Sequence, residues 1–232
     1  MIHKRQQEFI NYFKEELKTK QFISSAFLKG SIANGKSDEY SDIDLYCVTE
    51  KKTIGELKSF RNHIINNFRD ILYTENVNFG LDQIIVIFDN DLHLDFYITD
   101  RPPTEGYAPI FILYDKKGEL QKYILKHPKN NIDGAIQYYN ESVYTLHELL
   151  IALKRNDQLW SMRLISHMIA YLSLVLCYKY NSGNGILHMK NLYYTLPKKE
   201  KEQIDEILKF AIPSNIPKYE SIGIKSNIQV LI

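Results

Sequence analysis

The stretch that decides the fold is residues 28–48, LKGSIANGKSDEYSDIDLYCV. It starts at the end of an apolar run, passes through a Gly-Ser pair and a short polar loop, and enters a second apolar run at Asp-Ile-Asp. This pattern predicts one strand that ends before Gly30 and a second strand over residues 42–49. Because side chains alternate across a strand, we expect Asp42 and Asp44 to share one face.

Two carboxylates this close repel each other, and burying them without partners is costly. A divalent cation between them turns the repulsion into a ligand set, and ligands that are all oxygen suit magnesium. A solvated edge strand that carries a pair of charges has the same Asp-x-Asp pattern. The pair alone does not distinguish these two interpretations.

The Gly-Ser pair favours the metal interpretation. A strand that ends at Gly30-Ser31 just before a helix places backbone N–H groups and a hydroxyl where phosphate binds well. Gly30 also lets a ligand approach the backbone closely. A phosphate site beside a carboxylate pair is what the chemistry of a triphosphate needs, because a metal ion there neutralises phosphate charge.

A third carboxylate is predicted on a β-hairpin over residues 83–99, whose turn is formed by residues 89–91. In the second strand of the hairpin, LHLDFYIT, apolar and polar residues alternate. Asp95 is therefore expected on the polar face of a strand that lies near Asp42 and Asp44. It could bind a metal ion or accept a proton from an attacking hydroxyl, and both roles stay open.

Gly30-Ser31, the Asp-Ile-Asp triplet at 42–44 and Asp95 together resemble the signature of the nucleotidyltransferase superfamily, which has the polymerase β-like fold. A narrower similarity, best over residues 25–125, is to the lincosamide nucleotidyltransferases, antibiotic-resistance enzymes related to the aminoglycoside nucleotidyltransferases. The segments that carry it are KGSIANGKSDEYSDIDLY, VIFDNDLHLDFYIT and APIFILYDKKGELQKYI.

The resemblance implies a magnesium-dependent enzyme that transfers a nucleoside monophosphate, AMP from ATP in the first instance, to a hydroxyl of a small-molecule antibiotic and releases pyrophosphate. A lincosamide is the first acceptor that it implies and an aminoglycoside the second. Carried over position by position, Gly30 and Ser31 would contact the triphosphate, and Asp42 and Asp44 would hold magnesium. Asp95 would be the third acid, as a metal ligand or as the catalytic base.

The order of the predicted elements indicates an α+β fold with two domains. Strands and helices precede residue 128, whereas helices alone follow it. We therefore predict a nucleotidyltransferase domain over residues 1–128, with a mixed β-sheet and flanking helices, and an all-α helical domain over residues 129–232.

Composition restricts the partners. The chain has 29 basic and 28 acidic residues, a net charge of +1, so it lacks the basic excess of a nonspecific nucleic-acid binder. The start of the chain is predicted to be an amphipathic helix rather than a signal peptide. The apolar run at 168–178 is shorter than a membrane span. We expect a cytoplasmic protein with no nucleic-acid or membrane partner, and a homodimer is left open.

Two other functions fit the same signature. One is a nucleotidyltransferase that modifies a partner protein, as antitoxins of this class do. The other is a nucleotide-binding module without catalysis, which is disfavoured because all three acidic positions hold carboxylates. Three further residues receive no role: His93 shares the predicted face of Asp95, and Arg163 and His167 are four residues apart on a helix.

Overall fold

The structure, a computed structural model, describes residues 2–78, 80–126, 132–180, 190 and 192–209. The chain divides into two compact units, Met1–His127 and Pro128–Ile232. The prediction that residues 1–128 and 129–232 are separate domains concerns independent folding, and it stays a prediction.

The first unit is a mixed sheet with helices. Its elements are α1 (Lys4–Leu17), β1 (Ile23–Leu28), α2 (Gly30–Ala33), β2 (Ile43–Thr49), α3 (Ile54–Phe68), β3 (Ile71–Asn78), β4 (Asp82–Phe88), β5 (His93–Thr99), β6 (Glu105–Gly106), β7 (Phe111–Asp115) and β8 (Ile124–Leu125), with 3-10 turns at Lys51–Thr53 and Leu120–Lys122.

Six strands form the main sheet in the order β3-β4-β5-β2-β1-β7, and β6 pairs with β8 in a separate sheet of two strands. Within the main sheet β2 and β5 are parallel, whereas the other neighbours are antiparallel. The β4–β5 pair confirms the predicted hairpin. A mixed sheet with helices before it, within it and after it along the chain confirms the predicted α+β class.

One face of this sheet is covered by α1 and α3 because both helices are amphipathic. On α1, Phe9 and Phe13 are four residues apart and fully buried, and Phe13 packs edge-on against Phe96 of β5, with 6.0 Å between the ring centroids. Burial of each such side chain contributes about 1.5–3 kcal/mol. The alternate residues of β2 and β5, which include both strand aspartates, therefore belong to the opposite face.

The end of α3 differs from the prediction. Periodicity predicts a helix over residues 53–72, but α3 ends at Phe68 and the chain enters β3 at Ile71. Strand β3 is an edge strand of the sheet, and almost all of its side chains are exposed. It therefore has no buried face, and its sequence shows no alternation that could indicate a strand.

The second unit is helical, as predicted. Its described elements are α4 (Ile132–Lys154), α5 (Gln158–Tyr180), α6 (Leu192–Thr195) and α7 (Lys198–Leu208). Leu149 and Ala152 of α4 form a small core with Leu164 and Ile165 of α5. The 23-residue α5 is longer than the predicted apolar run at 168–178. By length and composition it could cross a bilayer, but core helices of soluble proteins pass the same test.

Candidate active site

The two strand aspartates lie side by side. Asp44 of β2 and Asp95 of β5 are partners in the register of the parallel pair, so their Cα atoms are about 4.8 Å apart. Both are half-buried, while Ile43, Leu45 and their neighbours in β5 point into the core on the other face. Two like charges at this separation make a site that favours a cation.

Gly30 lies directly against Asp44. Its φ is +63°, and a Cβ built on it would lie 2.0 Å from Oδ2 of Asp44. The backbone N–H of Lys29 also donates to the carbonyl oxygen of Asp44, at 3.0 Å. Glycine is required here both by the left-handed conformation and by the close approach of the carboxylate.

Ser31 provides a hydroxyl that no described residue satisfies. Its Oγ is buried and lacks a hydrogen-bond partner in the part of the chain that the structure describes. Since a buried hydroxyl without a partner is costly, the group is suited to an oxygen of a ligand. Ser31 lies in α2, which is a single turn. The hydroxyl and the local N–H groups therefore matter more for binding phosphate than a helix dipole does.

Asp42 lies outside the strand, immediately before β2 begins at Ile43. Within residues 2–78, 80–126, 132–180 and 192–209, no three His, Cys, Asp or Glu side chains are close enough to hold one metal ion. The structure thus places two of the three predicted acids together, and the set of three stays a prediction. Magnesium commonly takes one or two carboxylates and completes its shell with water and substrate phosphates. Asp44 and Asp95, beside the unsatisfied hydroxyl of Ser31, fit that donor set.

The loop that leads to Asp42 is held by α1. Gln6 is fully buried, and its Nε2 donates to the carbonyl oxygens of Asp38 and Ser41, at 2.8 Å each. Arg5 donates to the carbonyl oxygen of Glu39. Three backbone carbonyls of one short loop are therefore fixed to a core helix, and this limits where the following carboxylate can lie.

Asp95 has polar neighbours within its own sheet. Nε2 of Gln83, on β4, donates to Oδ1 of Asp95 at 3.0 Å. Nε2 of His93 lies 3.4 Å from the same oxygen but makes no hydrogen bond with a described residue. Alternation along β5 predicts His93 on this face, whereas Gln83 was not among the predicted site residues. Gln83 could have been recognised because it is the first residue of QIIVIF, the sequence of a buried strand.

Aromatic rings line the same face. The ring of Tyr46 stacks between Phe27, with 5.0 Å between centroids, and Tyr97, with 4.2 Å. Nζ of Lys29 lies 4.7 Å from the centroid of the Tyr46 ring. Farther along the face, Phe27 packs against Leu120. The stack forms a rigid wall beside the aspartates.

Burial and the aspartates affect the ionisation of this wall. Burial, and then the charge of Asp44, raise the pKa of Tyr46 to about 12. Burial also raises the pKa of Tyr97, with contributions from Tyr46, Asp95 and Asp44. Burial lowers the pKa of Lys29, against the opposite effect of Asp44. Both phenols therefore stay neutral at physiological pH and can donate hydrogen bonds.

Arg163 and His167 belong to the second unit. Arg163 lies on the exposed side of α5 with its guanidinium 5.6 Å from the ring of Trp160. The ring of His167 is edge-on to Tyr171, at 6.4 Å. These are local contacts along one helix, and they give neither residue a role in the site.

Comparison with known proteins gives a family. The family described as "Nucleotidyltransferase domain" matches residues 8–147, which is more than half of the chain. No curated protein matches the sequence.

Two solved structures show a distant likeness. An aminoglycoside 6-adenyltransferase from Bacillus subtilis is 13% identical, with 92% of this chain and 82% of that chain covered and a TM-score of 0.28. A STING-associated CdnE c-di-GMP synthase from Capnocytophaga granulosa is 16% identical, with 97% and 76% covered and the same TM-score of 0.28. At these TM-scores neither likeness bears on function.

Proposed function

The chain belongs to the nucleotidyltransferase domain family, and on this premise we propose that it transfers a nucleoside monophosphate from a nucleoside triphosphate to a hydroxyl of a small molecule. We propose ATP as the donor, so that AMP is transferred and pyrophosphate is released. A cytoplasmic location, where ATP and magnesium are plentiful, is part of the same proposal.

The observation that supports this proposal most strongly is the pairing of Asp44 with Asp95 in register beside Gly30. The carboxylate of Asp44 touches the turn whose backbone and Ser31 hydroxyl suit phosphate oxygens. A pair of carboxylates suited to a cation and a turn suited to phosphate are therefore in direct contact, as transfer of a nucleotide requires.

Asp44 and Asp95 would hold magnesium, with Asp42 as the third ligand that the sequence predicts. A bound magnesium ion would neutralise charge on the phosphates and orient the leaving group.

The residues of the chain would perform the remaining tasks. The hydroxyl and backbone N–H of Ser31 bind phosphate oxygens and hold the triphosphate in place. The acceptor oxygen forms a bond to the α-phosphorus while the bond from that phosphorus to the bridging oxygen breaks, and pyrophosphate leaves. The proton of the acceptor hydroxyl goes to the carboxylate of Asp95 if Asp42 and Asp44 alone hold the cation, and to a water molecule if Asp95 holds it as well.

The acceptor that we propose is an antibiotic, and the function is resistance to it. The support is the resemblance of residues 25–125 to lincosamide nucleotidyltransferases. A lincosamide is therefore tested first and an aminoglycoside second. A net charge of +1 gives no reason to expect a polycationic acceptor.

The proposal is tested by the release of pyrophosphate. The protein is incubated with magnesium and each of the four nucleoside triphosphates, with and without a panel of lincosamides and aminoglycosides. We expect release that requires one nucleotide and one acceptor, and an acceptor whose mass increases by one nucleoside monophosphate.

Three variants and one control complete the assay. Asp42→Asn, Asp44→Asn and Asp95→Asn should each abolish release while circular dichroism stays unchanged. Asp70→Asn, at an exposed position, should release pyrophosphate like the wild type. Wild-type turnover by the Asp44 variant would refute the proposed site. A wild-type protein that modifies only proteins from a lysate would instead assign it a protein acceptor.

A further inference from the structure

Asp95 has one carboxylate oxygen engaged and one left to a ligand. Oδ1 accepts the hydrogen bond from Nε2 of Gln83, and Nε2 of His93 lies 3.4 Å from the same oxygen. In the parts of the chain that the structure describes, no hydrogen bond reaches Oδ2. The two oxygens are therefore not equivalent.

The amide of Gln83 is held firmly. Gln83 is only 9% exposed, and on β4 it is the register partner of Tyr97, two residues beyond Asp95 along β5. The preceding residue, Asp82, is tied to α3 by an ion pair with the buried Arg61, at 2.6 Å. An amide with so little freedom can fix the rotation of the carboxylate that it binds.

We infer that Gln83 is a positioning residue for Asp95. By binding Oδ1, it turns Oδ2 toward the cation and phosphates that Asp44 and Gly30 would hold. The inference rests on the proposed function. Carboxylates that bind metals are commonly oriented by such outer partners, and removal of the partner typically costs about 10–100-fold in metal affinity or activity.

A purely structural role gives different expectations. If Gln83 only satisfies hydrogen bonds inside the sheet, its loss lowers stability whether or not Asp95 is a carboxylate. If it acts through Asp95, its effect on ligand binding disappears when Asp95 no longer binds the cation. A double-mutant cycle separates the two roles.

The experiment measures binding of non-hydrolysable α,β-methylene nucleoside triphosphates by calorimetry, with magnesium and with EDTA. The proteins are the wild type, Gln83→Met, Asp95→Asn, the double variant, and Gln121→Met at an exposed glutamine as the control. We expect Gln83→Met to weaken magnesium-dependent binding about 10–100-fold and to leave binding in EDTA unchanged. In the Asp95→Asn protein it should weaken binding no further, and Gln121→Met should resemble the wild type.

Each other outcome overturns the inference in a distinct way. A wild type without magnesium-dependent binding refutes the proposed function and the inference together. If Asp95→Asn weakens binding and Gln83→Met does not, the function stands and the inference is wrong. Equal weakening by Gln83→Met in EDTA, or in the Asp95→Asn protein, shows a structural role. If Gln83→Met does not fold, Gln83→Leu, which likewise has no amide donor and no charge, replaces it in the same cycle.

Discussion

Two glycines of the first unit show how strongly single residues determine the site. Gly30 and Gly118 have nearly the same backbone conformation, with φ of +63° and +67°. Their surroundings differ. A Cβ on Gly30 would meet Oδ2 of Asp44 at 2.0 Å, whereas a Cβ on Gly118 would approach no heavy atom closer than Gln121, at 3.9 Å.

We therefore predict that Gly30→Ala inactivates the enzyme and Gly118→Ala does not. Each change places an L residue in the left-handed region, at a cost of about 1–2 kcal/mol in the free energy of unfolding. Only the change at Gly30 displaces the Asp44 carboxylate. A misplacement of about 1 Å costs about 10²-fold in turnover. Urea unfolding and pyrophosphate release measure the two effects. Similar turnover by both variants would contradict this assignment of Gly30.

Tyr46 gives a prediction for pH. Its pKa is raised to about 12, first by burial and then by Asp44, so the folded protein keeps a proton that the unfolded chain loses near the ordinary tyrosine pKa of 10.0. This contribution to stability is complete below pH 10 and is lost as the pH rises through about 12. In Tyr46→Phe the free energy of unfolding should fall less steeply over that range, as urea unfolding at several pH values measures.

The control for this prediction is Tyr40→Phe, because Tyr40 is 80% exposed. Its stability should follow the pH dependence of the wild type. The same slope in the Tyr46 and Tyr40 variants would show that the phenol beside Asp44 does not titrate differently in the folded state.

Two ion pairs between elements differ in burial, and each has one further charged partner: Lys58 lies 2.6 Å from Asp82, and Glu8 lies 3.5 Å from Arg69. Arg61 of α3 pairs with Asp82 of β4 at 2.6 Å, and its side chain is 5% exposed. Arg69, just after α3, pairs with Asp89 at the same distance, and its side chain is 35% exposed. The first pair holds the start of the strand that carries Gln83.

Asp82→Asn should therefore destabilise the protein more than Asp89→Asn. The loss of a charge beside the buried guanidinium of Arg61 costs about 1–3 kcal/mol, whereas the exposed pair contributes about 0–1 kcal/mol. Urea unfolding of both variants gives the comparison. Equal losses of stability would mean that the buried pair does not anchor β4 to α3.

Among the helices and strands, the sequence predicts those that have one buried face. The alternation in β5 and the helical period in α1 are visible because helices cover one face of the sheet. Strand β3, exposed on both faces, and α2, a single turn, have too little periodicity to be recognised.

Pairing between distant strands is a further limit. Nothing local in residues 42–49 or 92–99 specifies that β2 and β5 are parallel neighbours, or that Asp44 and Asp95 are in register. Alternation showed only that each acid lies on a polar face. The contact of Gln83 with Asp95 depends on the register of β4 with β5, which the sequence of a single strand does not contain.

The whole molecule consists of two units whose independence can be tested. The main apolar core, which joins α1 and α3 to the sheet, lies entirely within the first unit. The family match extends beyond this unit to residue 147, into α4. The first unit ends at His127, whereas the family match ends at residue 147. The two therefore give different C-terminal ends for the first domain.

We predict that a fragment of residues 1–127 folds by itself, because every described residue of its main apolar core lies within that fragment. Thermal unfolding followed by circular dichroism should be cooperative, with strand and helix signals. A longer fragment of residues 1–147 is the control. If only the longer fragment unfolds cooperatively, α4 is part of the first domain and the predicted boundary at residue 128 is wrong.

The position of a bound metal ion would decide whether Asp44 and Asp95 form one cation site. Crystals grown with manganese and a non-hydrolysable nucleoside triphosphate locate the ion by its anomalous scattering. We expect a peak about 2.1 Å from carboxylate oxygens of both Asp44 and Asp95, with phosphate oxygens of the same nucleotide at Ser31. A metal–nucleotide complex bound elsewhere, with these two aspartates free of metal, would contradict it.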